Sequence, residues 1–324
     1  MEFKEISKVI SKELEEFNDF FKSVLKTDVA LLNLVLKYIT SKKGKQIRPI
    51  LVLLSAGICG KISTRSYVGA AMIELLHTAT LVHDDVIDQA KVRRGIASIN
   101  AEWNNKIAVL SGDFLLSLGL KTSVNHNEFR FLKITSTAVQ MMSESELFAI
   151  DKARSFKITE DEYFKIINGK TATLISSCCE IGAFSASDKE EDSENLSKFG
   201  TLVGLAFQIR DDLLDYVSKS SLIGKPVGND IKENKITLPL IYALEKSDNN
   251  EKKKIISLMK SKDISKSDIN YILDFVKQKG GVEYAQNKAI SLCNEAKLIL
   301  NKYPDSKYKS SLEEITEFII NRKA

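Results

Sequence analysis

The chain has 324 residues, 44% of them hydrophobic and 28% charged, with a formal net charge of +4. That length and apolar content suffice for one large core, so a single domain over residues 1–324 is expected, and the charge is too small to suggest a nucleic-acid partner. Four cysteines (Cys59, Cys178, Cys179, Cys293) lack metal-ligand spacing, which argues against a disulfide framework and for a reducing, cytoplasmic setting.

The predicted elements are helical almost throughout, and only four prolines interrupt them. Residues 3–25 read as a surface helix with Phe3, Ile6, Ile10, Leu14 and Phe17 on one stripe. The N-terminus is too acidic for a signal or transit peptide. Residues 29–40 form a second helix and 41–49 a basic loop. Pro49 suits the first turn of a buried helix over 50–59. Residues 66–88 form a long helix ending in aspartates, and 90–98 a loop. Two long helices follow, over 107–120 and 129–151. Thr159 and Glu162 make a capping box for a helix running towards Asn168. Residues 170–184 are small and apolar, 196–217 form another long helix, 218–234 a loop, and 238–244 a buried segment. Short lysine-rich helices with a Gly280-Gly281 break complete the chain. No uninterrupted apolar run reaches transmembrane length, so membrane contact is at most peripheral. The architecture expected is an all-α bundle around a central cavity.

The chemistry concentrates in LVHDDVIDQAKVRRG, residues 81–95. Asp84 and Asp88 are four apart and share a helix face with Ile73, His77 and Thr80. Like charges at that spacing repel by about 0.2–0.5 kcal/mol. A hard divalent cation is the natural compensation. Arg93 and Arg94 follow, and a guanidinium fork matches phosphate oxygens. The pattern returns as Asp211, Asp212 and Asp215 after Gln208. A single copy reads as a solvated helix end; two copies, each after an apolar helical run, point to two helices holding metal ions on one diphosphate.

Taken in order, Gly44-Lys45-Gln46-Ile47-Arg48-Pro49, His77, Asp84-Asp85-Val86-Ile87-Asp88, Arg93-Arg94-Gly95, Lys170-Thr171, Gln208 with Asp211-Asp212-Leu213-Leu214-Asp215, Gly224-Lys225-Pro226 and Lys235 resemble the trans-prenyl diphosphate synthases, the polyprenyl synthetase family, over nearly the whole chain. The resemblance implies the isoprenoid synthase fold, a homodimer, and Mg²⁺ as cofactor, three ions per site. Asp84, Asp88 and Asp211 would contact the metal, with Asp85, Asp212 and Asp215 acting through water or neighbouring groups. Lys45, Arg48, His77 and Arg94 would bind isopentenyl diphosphate. Arg93, Lys170, Thr171, Gln208, Lys225 and Lys235 would bind the allylic diphosphate, with Lys170 and Lys225 aiding its ionisation. His83 stands as a further group that could orient Asp84.

In the family a bulky residue four or five positions before the first aspartate stops chain growth. Thr80 and Ala79 are small, which resembles the medium- and long-chain members such as the octaprenyl synthases. A helical wheel puts Thr80 near the carboxylate face and Ala79 well away from it. Three departures stand out: Ser143-Glu144-Ser145-Glu146 where a Gly-Glu pair is usual, Ala149 for a glutamine, and Asn234 for a glycine before Lys235. A short-chain farnesyl or geranylgeranyl synthase and the catalytic subunit of a heteromeric synthase remain alternatives. A His-Asp phosphohydrolase would use His83-Asp84 but leaves the second aspartate motif without a role. A non-catalytic subunit would lack a motif, and a terpene cyclase would not need Lys45, Arg48 and His77.

Overall fold

The structure is a computed structural model and describes residues 3–41, 44–217, 228–261 and 263–321. The described residues are helical apart from one two-stranded ribbon and short connections. The N-terminal stripe is broken into α1 (Phe3–Ile6), a 3₁₀ turn (Ser7–Ile10) and α2 (Ser11–Val24), whereas one helix was expected. Ile6, Ile10 and Phe17 are fully buried, so the apolar stripe survives the break. α3 spans Ala30–Ser41.

α4 is Ile47–Cys59. It starts earlier than expected because Gln46 adopts a left-handed φ of 50° and the helix opens before Pro49. Arg48 therefore stands on the first helical turn, not in the preceding loop. α5 is Thr64–Ile87, capped by Ser63 and Ser66 and closed at Asp88. The expected loop over 90–98 is a hairpin of β1 (Val92–Arg93) and β2 (Ile96–Ala97). Arg94 and Gly95 turn it with φ of 53° and 78°. Two consecutive positive φ angles define the turn that suits strand twist, and glycine meets the second at no steric cost.

α6 (Ile99–Glu102) leads into α7 (Asn105–Asn125), followed by α8 (Phe129–Ser155) and α9 (Glu160–Ile167). α9 carries the expected capping box: Glu162 N–H donates to Thr159 Oγ1 at 3.2 Å and Thr159 N–H to Glu162 Oε2 at 3.0 Å. A π-helical turn, Asn168–Ala172, joins α9 directly to α10 (Thr173–Ala186). Such a turn carries an extra residue per turn and re-aims side chains; here it leaves Lys170 exposed between buried Gly169 and Ala172. α11 is Glu190–Val217, α12 is Asn229–Lys232 and α13 is Leu238–Glu245. α14 (Asn249–Met259), α15 (Lys266–Gln278), α16 (Gly281–Leu300) and α17 (Lys307–Asn321) close the chain. With 20 residues, α16 is not the short helix expected.

The chain forms two compact units. The first comprises residues 1–137, 177–197 and 303–312. There α5 lies along α7 and packs against α4 and α2. Residues Ile50–Ala56 and Ser66–Ile73 are buried without a break, so α4 and this part of α5 form the floor of that core. Each fully buried Leu, Ile or Met there contributes about 1.5–3 kcal/mol. α7 is also long and apolar enough to cross a membrane by length and mean hydropathy; in the fold it is a packing partner of α5. The second unit comprises residues 138–176, 198–302 and 313–324, with α13 packed on α9, α15 and α16.

Candidate functional site

In the first unit, Gly44, Lys45, Gln46, Ile47, Arg48, Glu74 and Arg94 line an open cavity of about 480 Å³. Three of the four residues expected to bind isopentenyl diphosphate thus meet at one cavity. The fourth, His77, lies one turn beyond Glu74 on α5 and within electrostatic range of Arg48, Arg94 and Arg93. Burial, then those three positive charges, push its imidazole down to about 2. His77 is therefore neutral and offers one donor and one acceptor. The Nε of Arg48 is buried without a hydrogen-bond partner, and desolvation lowers its pKa. A buried guanidinium N–H left unsatisfied calls for an acceptor, and a diphosphate oxygen supplies one.

Glu74 was not anticipated from the sequence. Its carboxyl is buried, which raises its pKa, while Arg48 and Arg94 pull it back down. The signal was a lone acid among apolar neighbours three residues before His77. Its negative charge allows two arginines to sit at one cavity before any anion arrives.

At the end of α5, Asp85 is buried and accepts from Arg93 Nε at 2.9 Å and from a second guanidinium N–H at 2.5 Å. That contact is also the main reason the Arg93 pKa is raised. Asp84 and Asp88 are exposed, one turn apart. His83 does not orient Asp84: its Nε2 lies 3.2 Å from Val109 O and 3.4 Å from Asp113 Oδ1 on α7. The His-Asp phosphohydrolase reading loses its histidine on that ground.

The second motif lies on α11 in the other unit. Asp211 is exposed, and Asp212 is buried. Tyr163 donates to Asp212 Oδ2 at 2.6 Å and Gln208 Nε2 to Asp212 Oδ1 at 2.8 Å. Burial pushes the Asp212 carboxyl up to about 7 against those two hydrogen bonds. Thr171 in turn donates to Gln208 Oε1 at 2.6 Å. Asp215 accepts the backbone N–H groups of Asn229 and Asp230 at 3.0 and 2.9 Å. Burial, then Asp215, pushes Asp230 up to about 6.

Lys170 projects from the π turn and donates to Glu146 at 2.9 Å. Lys235 donates to Glu233 at 2.6 Å. Lys225 lies outside the described residues. Asn234 has φ of 57°, so this substitution for a glycine retains the left-handed backbone, which asparagine tolerates better than most residues. Tyr163 and Asp230 are the other residues that sequence reasoning missed, because neither carries a local motif.

Among the described residues no three His, Cys, Asp or Glu side chains converge as a ready-made metal cluster. The exposed carboxylates of Asp84 and Asp88 in the first unit, and that of Asp211 in the second, are each the kind of oxygen donor that a hard cation takes alongside phosphate and water. The chain-length positions separate. Thr80 is half-buried and donates to His77 O at 2.9 Å. Ala79 packs with Leu36, Leu75 and Leu115, away from the aspartate face as the helical wheel requires. Leu36 and Leu115 also wall a second, mainly apolar cavity of about 470 Å³.

Comparison with known proteins agrees with these features. The family model for polyprenyl synthetase matches residues 29–276. The all-trans-nonaprenyl-diphosphate synthase (geranyl-diphosphate specific) of Rhodobacter capsulatus is 35% identical over 97% of this chain and 96% of its own. The octaprenyl diphosphate synthase of Escherichia coli is 30% identical over 99% of both. The crystal structure of a decaprenyl diphosphate synthase from Rhodobacter capsulatus superposes with a TM-score of 0.92, at 30% identity, over 98% of each chain. With the family match spanning most of its length and relatives aligned nearly end to end, the chain belongs to the polyprenyl synthetase family.

Proposed function

We propose that the protein is a trans-prenyltransferase that condenses isopentenyl diphosphate with allylic diphosphates to make a medium- or long-chain all-trans polyprenyl diphosphate, such as a quinone side-chain precursor. The exposure of Asp84, Asp88 and Asp211 in the two aspartate motifs carries this reading. Asp85, Asp212 and Asp215 are held by Arg93, by Tyr163 and Gln208, and by two backbone N–H groups, while Asp84, Asp88 and Asp211 stand exposed. Three carboxylates are thus tied to named protein donors, and the other three are accessible to solvent.

Asp84, Asp88 and Asp211 would hold Mg²⁺, three ions per site, which would supply positive charge to the departing allylic diphosphate. Arg93, Lys170 and Lys225 add positive charge to that leaving group, with Thr171, Gln208 and Lys235 beside it. Lys45, Arg48, neutral His77 and Arg94 hold the isopentenyl diphosphate, whose phosphate does not leave. The allylic C–O bond breaks, and the isopentenyl double bond attacks the allylic carbon. A proton then passes to the released diphosphate, and the product is five carbons longer. Apolar walls keep water from the cation. One catalytic domain and a cytoplasmic location complete the reading.

The deciding assay incubates purified protein with Mg²⁺, farnesyl diphosphate and labelled isopentenyl diphosphate and sizes the dephosphorylated products. Chains clearly longer than geranylgeranyl are expected; a product no longer than farnesyl would refute the long-chain reading. Ala79→Tyr should shorten the product, because the ring enters the cluster formed with Leu36 and Leu115 beside the apolar cavity. Overpacking there should also cost about 1–3 kcal/mol of stability, so the variant is compared well below its melting temperature. An unchanged product length would show that the growing chain does not pass Ala79.

A homodimer is expected. On α7, Val109, Leu110, Leu120 and Val124 are 40%, 57%, 43% and 48% exposed, an apolar surface that a second copy would cover. Light scattering should give twice the monomer mass at micromolar concentration; active protein that stays monomeric would remove the dimer.

A further inference from the structure

We infer that Tyr163 is a positioning residue that fixes which end of the Thr171 hydroxyl faces the reacting carbon. The inference rests on the reading that Thr171 and Gln208 line the allylic site. Four side chains form one hydrogen-bonded line. Tyr163 donates to Asp212 Oδ2 at 2.6 Å, Gln208 Nε2 donates to Asp212 Oδ1 at 2.8 Å, and Thr171 donates to Gln208 Oε1 at 2.6 Å. Tyr163 is 2% exposed and Asp212 is 8% exposed, so water does not readily substitute for either partner.

The line has a direction: the Asp212 carboxylate, which only accepts, sets it, and Tyr163 holds that carboxylate in place. A phenol has one proton, and here it goes to Asp212. An Asp212 that accepts from the phenol and from an amide N–H on its two oxygens obliges Gln208 to turn its NH₂ group inward. The Gln208 carbonyl then faces Thr171, and the single Thr171 proton is used on it. Only the lone pairs of Thr171 Oγ1 remain for the site. A hydroxyl held this way presents the negative end of its dipole to a developing allylic cation without reorganising as the C–O bond breaks. The π turn that carries Thr171 is the element such a fixed partner would steady. Tyr163 does this without touching substrate; removing its hydroxyl frees the Asp212 carboxylate to rotate away from Gln208, which then can flip and let Thr171 turn its proton outward.

The test is a double-mutant cycle read by rapid-quench single-turnover rates, with Tyr163→Phe, Tyr163→Met, Gln208→Ala and the Tyr163→Phe/Gln208→Ala double variant. Two replacements at 163 guard against one failing to fold, which circular dichroism checks. The Tyr163 variants should slow condensation about tenfold with KM for both substrates within about twofold of wild type. The double variant should be no slower than Gln208→Ala alone, since Tyr163 acts through Gln208. Rates multiplying independently, or a folded Tyr163→Phe within about twofold of the wild-type rate, would overturn the inference. A Gln208→Ala enzyme of normal rate would instead show that the allylic-site reading beneath it is wrong.

Discussion

Replacing Asp84 or Asp211 with alanine should lower kcat by about 10²- to 10³-fold, the scale for losing one main electrostatic stabiliser of a transition state. Both carboxylates are exposed, so stability should change little on truncation. Asp85→Ala makes the contrast. It strips Arg93 of its hydrogen-bonded anion and should cost both stability and rate. Circular dichroism separates the two outcomes: Asp84→Ala and Asp211→Ala keep the wild-type melting curve and lose turnover. A variant at either position that keeps near-normal turnover with Mg²⁺ would remove that aspartate from the metal site.

Arg48→Ala carries the second large effect, and it should be twofold in kind. The guanidinium lines the cavity with Lys45 and Arg94, so KM for isopentenyl diphosphate should rise by about two orders of magnitude if a charged, buried pairing with phosphate is lost. Arg48 also offsets the buried charge of Glu74. Removing Arg48 takes away one of the two positive charges that offset the Glu74 carboxyl, so stability should fall. Adding Glu74→Gln should therefore recover much of the melting temperature while leaving KM high. That split is the discriminating measurement. A double variant that regains substrate affinity would place the binding role elsewhere, and an Arg48→Ala enzyme of wild-type stability would show that Glu74 does not depend on it. Lys45→Ala, on an exposed side chain, should raise KM without a stability loss.

The sequence by itself determined the helical class, the two aspartate helix ends and the basic residues of one anion pocket. Each depends on short-range spacing: a four-residue period puts Asp84 and Asp88 on one face, and the same period runs back through Thr80 to His77. Capping chemistry was equally local, and Thr159 with Glu162 formed the expected box. Even the wheel that turned Ala79 away from the carboxylates agrees with its packing against Leu36 and Leu115.

Tertiary structure alone decided which polar groups find each other. Asp84 and Asp85 are adjacent and chemically identical, yet one is exposed and the other is bound by Arg93, because the hairpin turned at Arg94 and Gly95 brings Arg93 back against α5. His83 turned to α7, a partner 26 residues away that no spacing rule contains. Arg48 moved from loop to helix because of one left-handed residue at Gln46. Glu74 and Tyr163 carry no motif; they matter through burial beside Arg48 and Asp212. Periodicity fixes which residues share a face, but burial and hydrogen-bond partners depend on what packs against that face. Those contacts join segments far apart in the chain, as Tyr163 and Asp212 are.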